Sequence, residues 1–232
     1  MYIVHEQFNP KNIKYGFFPR RITISKEPKT EELELLKKAF DAEMVNIVTQ
    51  KHTNKVVVID ECPNNCIADG QITNKKNLAL AVLTADCVPI LFADEEAKLV
   101  ATIHAGWRGA KANIMKEAVV QMQNLGAKNI TAILGPCIKQ KDYEVDSNFY
   151  HDFLNDDHEN KRFFILGARY NHYLFNLPEY VKQKLSELKI KQILDIERNT
   201  YDDEENFFSF RRTTHNPQSP MGSIVSVIML LP

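Results

Sequence analysis

Apolar residues in this chain fall into short unbroken blocks separated by polar connections. Blocks at 44–49, 55–60, 78–83, 88–93, 98–104, 130–134, 191–196, 207–211 and 223–230 have the length of strands. Several are apolar at successive rather than alternate positions, which predicts strands buried on both faces. Three other stretches repeat at helical spacing. Thr30 stands where a helix cap belongs, with Glu31 and Glu32 in the first turn and Leu33, Leu36 and Phe40 along one face. Ile114, Ala118, Met122 and Leu125 make a second stripe, stopped by Gly126 just beyond it. Asn176 and Pro178 open a third, with Leu177, Val181, Leu185 and Leu188 on its apolar side. Strands outnumber helices, and helices sit between groups of strands. The pattern predicts an α+β fold or a layered α/β sandwich with mixed β-sheets. No repeat, low-complexity tract or linker divides residues 1–232, so a single domain is expected.

The charge balance narrows the partners. Lys plus Arg number 29 and Asp plus Glu 30, a formal net charge of −1. A chain that binds nucleic acid or a membrane surface over its whole face usually carries a basic excess, so neither partner is expected. The longest apolar blocks stay well short of the about 18 residues a membrane span requires. The opening MYIVHEQFNP lacks a signal-peptide run. These features lead us to expect a cytoplasmic protein whose four cysteines are reduced thiols.

Candidate chemistry gathers where strands end. In Thr84-Ala85-Asp86-Cys87-Val88-Pro89 a thiol stands on a tight connection between two apolar runs. A buried, inert cysteine is one reading; a functional thiolate beside the unusual Asp86 and Pro89 is the other. Ile103-His104-Ala105-Gly106-Trp107-Arg108-Gly109 leaves a strand and opens a helix. Its glycines permit close approach of a ligand, and a helix start together with Arg108 suits an anion such as phosphate. A packed Trp and a satisfied His at an ordinary strand-to-helix turn is the alternative. His52 follows another strand, in Gln50-Lys51-His52. Taken together, His52, Cys87 and His104 make a two-imidazole, one-thiolate set that suits Zn²⁺ with one position open. The separations of 35 and 17 residues are too long to form a spacing motif.

Three other places are weaker. Cys62-Pro-Asn-Asn-Cys66 has three residues between its thiols and no second Cys/His pair to complete a structural zinc site, so a turn with two ordinary thiols is expected. Cys137, in Gly135-Pro136-Cys137-Ile138, either lines a pocket or is a buried thiol. Arg211 and Arg212 end the block Phe207-Phe208-Ser209-Phe210 and are candidate anion ligands.

The segments TADCVPILFAD, ATIHAGWRG, LGPCI with YEV after it, and FFSFRR resemble the YfiH/LACC1 family, also described as polyphenol oxidase or laccase-like. Ala68-Asp69-Gly70-Gln71-Ile72-Thr73 and Gln50-Lys51-His52 resemble two further stretches of that family, and the likeness runs from about His52 to the C-terminus. The resemblance implies a four-layer α/β/β/α sandwich. It also implies a zinc-dependent purine nucleoside phosphorylase acting on adenosine, inosine and methylthioadenosine, with adenosine deaminase activity. Its metal ligands would be His52, Cys87 and His104. Arg108, Asp69 and Cys137 become candidate substrate contacts, with Asp69 and Asp86 candidates for handling protons or orienting a ligand histidine. Purine nucleosides and phosphate are the implied partners, and a homodimer is one option for assembly.

The laccase description implies copper and phenol oxidation instead. Laccase chemistry needs several coppers and many histidines, whereas this chain has seven, two of them in the motif set. A zinc protein that binds purines without turnover, and a hydrolase with Cys87 as nucleophile and His104 as base, are further alternatives. The chain departs from the family near its start, where Gly16-Phe17-Phe18-Pro19-Arg20-Arg21 leads almost directly to the Thr30 helix. Asn199-Thr200 and Met221-Gly222-Ser223 are further departures, the latter lacking an arginine.

Overall fold

The structure is a computed structural model that describes residues 2–25, 28–59 and 66–232. Cys62 lies outside these residues, so the 62–66 thiol pair is not described; Cys66 is a half-buried free thiol. In chain order the first half forms β1 (Ile13–Phe17), α1 (Thr30–Phe40), β2 (Met44–Ile47), β3 (Val56–Val58), β4 (Gly70–Thr73), β5 (Leu78–Thr84), β6 (Val88–Asp94), β7 (Leu99–Ala105), α2 (Trp107–Lys111) and α3 (Ile114–Asn124). The second half forms β8 (Thr131–Leu134), β9 (Glu144–Asp146), α4 (Ser147–Asp156), β10 (Phe164–Leu166), β11 (His172–Phe175), α5 (Leu177–Ser186), β12 (Gln192–Asp195), α6 (Phe210–His215) and β13 (Ile224–Leu230). The chain is a mixed α+β protein. Among the described residues no helix is long and apolar enough to cross a membrane.

Two mixed sheets carry the core. One runs β1-β13-β5-β2, the other β12-β8-β6-β7-β4-β3; a small antiparallel sheet, β10-β11-β9, stands apart from both. Successive strand residues point to opposite faces, and the apolar runs sort accordingly. On β5, Leu78 and Leu80 join a cluster shared with Leu91, Val100 and Ile133 of the six-stranded sheet. Ala79, Ala81 and Leu83 join Leu36 and Phe40 of α1 on the other face. On β6, Val88, Ile90 and Phe92 face a third cluster with Ile114, Ala118 and Met122 of α3 and Val181 and Leu185 of α5. These strands are apolar throughout because both of their faces are covered.

The helix signals resolve with two changes, the first being that Leu125 lies just past the end of α3 and is exposed rather than part of its buried stripe. Lys29, not Thr30, is the cap of α1; its backbone N–H donates to the Glu32 carboxylate at 2.8 Å, and Ser25 Oγ donates to the same group at 2.6 Å. Gly126 takes φ +101° after α3, and Asn176 Oδ1 accepts from the Glu179 amide to cap α5.

The block 207–211 is not a strand. Ser209 Oγ accepts from the Arg212 amide at 3.1 Å and starts α6, while Phe207 and Phe208 bury themselves individually before it. β4 and the small sheet lack a periodic apolar signal, whereas β1 and α4 carry one that the blocks above do not include: Ile13, Tyr15 and Phe17 alternate along β1, and Phe149, Tyr150, Phe153 and Leu154 fall at helical spacing in α4. α4 is built on Asp146, whose carboxylate accepts from the Phe149 amide, and on the stacked rings of Phe149 and Phe153.

Candidate functional site

Asp69 organises the site. It is wholly buried just before β4, and its backbone carbonyl accepts from the His104 amide at 2.7 Å. Its side chain gathers three successive amides: His52 N at 2.9 Å on Oδ1, with Lys51 N at 3.1 Å and Thr53 N at 2.7 Å on Oδ2. Such a nest of N–H groups holds an anion in place. It also holds His52 at φ +59°, a left-handed conformation that a side chain rarely adopts. Burial favours a neutral Asp69 carboxyl, but the bonds from His104 and Thr53 outweigh it and bring the group down to about 2.

The same carboxylate fixes His104. His104 Nδ1–H donates to Asp69 Oδ1 at 2.8 Å, which leaves Nε2 as the free ligand atom. His104 ends β7, Cys87 precedes β6, and the pinned loop brings His52 to them. Ligand atoms of His52, Cys87 and His104 all lie within 4.8 Å of one another, and the two imidazoles meet edge-on with centroids 4.6 Å apart. Burial pushes the Cys87 thiol up, but His104 and His52 beside it pull harder, down to about 6. His104 moves the opposite way: burial lowers it, while the Cys87 sulfur and Asp69 raise it further. A thiolate with two imidazoles around one point fits a tetrahedral metal with an open position.

Both glycines of the HAGWRG turn serve close approach. A Cβ on Gly106 would lie 2.9 Å from Cys87 Sγ and 3.0 Å from His52 Cδ2. A Cβ on Gly109 would lie 2.9 Å from the Thr53 carbonyl oxygen. The turn thus abuts the His52 loop and the thiol from one side. The helix start expected to receive an anion is only the single turn α2, so anion binding from this segment rests on Arg108. Arg108 is exposed and stacks on Trp107, its Cζ 4.2 Å from the ring centroid.

His52 and Cys87 open onto a cleft of about 570 Å³ whose lining includes Trp107, Arg108, Tyr143, Phe149, Phe210 and Arg211. Asp86, at φ +87°, serves as a brace rather than a partner of either histidine. Its oxygens accept from Thr200 Oγ1 at 2.6 Å, Ser209 Oγ at 3.0 Å and the Arg211 amide at 2.6 Å. The Asn199-Thr200 departure therefore keeps the hydroxyl that holds the Cys87 turn.

Other sequence candidates fall away from the cleft. Cys137 is fully buried in the apolar core and is not on the cleft lining; burial raises its thiol to about 12. Arg212 is buried, and its guanidinium donates to the Thr200, Tyr201 and Phe207 carbonyls at 2.8, 2.8 and 2.6 Å. Of the two arginines, only Arg211 reaches the cleft. Tyr143 and Arg169 are lining residues that no spacing rule singled out. Tyr143 stands in the YEV segment that carries the family likeness, which does not tell that its ring borders the cleft, and Arg169 lies before β11, in a stretch with no pattern.

The model of the family described as "Multi-copper polyphenol oxidoreductase laccase" matches residues 26–231. The chain belongs to this family. Within it, the purine nucleoside phosphorylase RP494 of Rickettsia prowazekii (strain Madrid E) is 38% identical, the match covering 98% of this chain and 95% of that protein. The purine nucleoside phosphorylase YfiH of Escherichia coli (strain K12) is 35% identical over 62% of this chain and 58% of its own length. Among solved structures, Neisseria meningitidis protein NMB0706 superposes with a TM-score of 0.84 at 24% identity, covering 97% of this chain and 96% of that one. Bacillus licheniformis YfiH gives 0.82 at 24% identity, covering 94% and 92%. These structures share the fold of the laccase-like family.

Proposed function

We propose that this member of the laccase-like family is a zinc-dependent purine nucleoside phosphorylase that accepts adenosine, inosine and methylthioadenosine and also deaminates adenosine. The observation that carries the reading is the meeting of His52, Cys87 and His104 at one mouth of an aromatic and cationic cleft. These three residues would hold the metal. When bound, it supplies a Lewis acid and an acidified water. The names of relatives such as RP494 support the nucleoside reaction.

The chain's own residues do the positioning. Asp69 keeps His104 in one tautomer and His52 in its strained loop. Trp107, Phe149 and the exposed Phe210 offer rings against which a purine base can stack. Arg108 supplies positive charge for phosphate. In phosphorolysis a phosphate oxygen bonds to the anomeric carbon, and the carbon–nitrogen bond breaks with its electron pair going to the purine. The purine then takes a proton from solvent. In deamination water enters and ammonia leaves.

The family's description favours a second reading, copper-dependent phenol oxidation. Against several coppers stands the donor set: among the described residues one three-ligand group of this kind is found. The deciding experiment is metal analysis of the purified protein followed by product assays. Inosine should give hypoxanthine and ribosyl phosphate only when phosphate is supplied, from protein carrying about one zinc. Phenol oxidation by copper-loaded protein, with no nucleoside product from either metal form, would overturn the proposal.

A further inference from the structure

Three side chains on the cleft lining keep hydrogen-bond donors that no group among the described residues takes up. Arg108, Arg169 and Arg211 all line the cleft. Among the described residues only Arg169 pairs with a carboxylate, that of Glu144; Arg108 and Arg211 have none within ion-pair distance. Arg211 is nevertheless held firmly. Its Nη1 donates to the Glu144 carbonyl at 2.6 Å, and its guanidinium lies over the Tyr143 ring, 5.2 Å from the centroid. The remaining arms of that fork donate to no group among the described residues. Arg108 rests on Trp107 and hydrogen-bonds to no protein acceptor through its guanidinium among the described residues.

Tyr143 completes the set. Its hydroxyl has no partner among the described residues, and it borders the same cleft. Burial holds the phenol in its protonated, donating form; the charges of Cys87, Arg211, Asp86 and Arg108 all act on it. The acids on the lining are engaged elsewhere. Asp86 binds Thr200, Ser209 and the Arg211 amide, and Asp146 caps α4.

We propose that Arg108, Arg211 and Tyr143 form the oxyanion site that takes the phosphate co-substrate, with Arg211 as its rigid clamp. The inference rests on the phosphorylase reading and assigns its second substrate a place. Two forks and a hydroxyl offer more donors than a planar carboxylate can accept, whereas a tetrahedral phosphate presents oxygens in several directions. Arg211 comes to the site already anchored by Asp86, Glu144 and Tyr143, so little ordering remains to be done when phosphate binds.

The test uses the purified full chain in its metal-bound form, with inorganic phosphate as the probe. Titration calorimetry should show phosphate binding that weakens about tenfold or more in Arg211→Gln and in Arg108→Gln, and several-fold in Tyr143→Phe. In steady-state assays the KM for phosphate should rise to the same degree. The KM for phosphate should rise by more than the KM for inosine does in the same variant. Arg211→Lys keeps the charge but loses the fork, and stands in should Arg211→Gln fail to fold. Folded, metal-bound arginine variants that bind phosphate as the wild type does would overturn the assignment, as would a wild type that binds no phosphate. If phosphate binds and depends on both arginines but no nucleoside is phosphorolysed, the site stands and the phosphorylase reading fails.

Discussion

Asp69 and His104 are joined twice, by the carboxylate at the imidazole Nδ1 and by the Asp69 carbonyl at the His104 amide. The same carboxylate holds the backbone around His52. One buried acid thus sets two of the three ligands. Asp69→Asn keeps the shape but removes the charge that draws in three amides and one imidazole. We expect zinc affinity to fall about 10- to 100-fold, the range found when such supporting partners are lost. Competition with a chromogenic chelator measures it. Wild-type affinity in Asp69→Asn would show that the ligands hold their places without this carboxylate.

Gly106→Ala tests the site from the opposite side. The new methyl would press on Cys87 Sγ at 2.9 Å and on the His52 ring at 3.0 Å. Gly106 has φ −71°, so alanine meets no backbone penalty there. The expected outcome is loss of most bound metal with the far-ultraviolet circular dichroism unchanged and Tm lowered by a few degrees. Metal content by mass spectrometry of the native protein reads the result directly.

Much of this architecture was legible because burial on both faces writes itself into sequence. β5, β6 and β7 read as unbroken apolar runs for that reason. β4 did not, because Gln71 at its second position is buried yet satisfied, donating to the Ala81 carbonyl at 2.9 Å and accepting from Asn46 Nδ2 at 2.6 Å. Phe207 to Arg211 misled for the opposite reason: its rings are buried one at a time around a helix start, not along a strand. The ligand set was visible as residue types at strand ends. Its convergence depends on the long-range bonds of Asp69, which no local pattern encodes. Arg211 lay inside a recognisable motif, but nothing in the run Phe207 to Arg212 told which arginine would be buried against carbonyls and which would face the cleft.

Asp94 offers a check on the scaffold away from the chemistry. It is buried at the end of β6 and accepts from the amides of Ala97 at 3.0 Å and of Lys128 and Asn129 at 2.7 Å each. Burial alone would raise its pKa, but these three N–H groups outweigh it and lower it. A carboxyl depressed in the folded state stabilises fully above its unfolded value of about 3.9, and that contribution is lost as pH falls through the folded value. Asp94→Ala should therefore cost about 2–4 kcal/mol at pH 7, with three amides left without an acceptor. The difference from wild type should shrink as pH is taken from about 5 toward 3. Urea denaturation across that range measures it, and a gap independent of pH would show that the carboxylate charge contributes nothing.

Cysteine reactivity separates the two thiols that matter. Cys137 is sealed in the core with its thiol raised to about 12, so it stays protonated and unreactive while the protein is folded. Cys87 opens on the cleft, and without metal His104 and His52 hold its thiol down at about 6. A depressed thiol is mostly thiolate above that value, so metal-free protein at pH 7 should be alkylated by iodoacetamide first at Cys87. The rate should fall as pH is lowered through about 6, because protonation removes the nucleophile. Loading the protein with zinc should protect Cys87 by more than about tenfold, since a coordinated sulfur has its lone pair engaged. Peptide mapping by mass spectrometry after timed labelling gives both rates. Equal labelling of Cys87 with and without zinc would remove it from the ligand set and leave the thiolate free for the nucleophilic chemistry of a hydrolase.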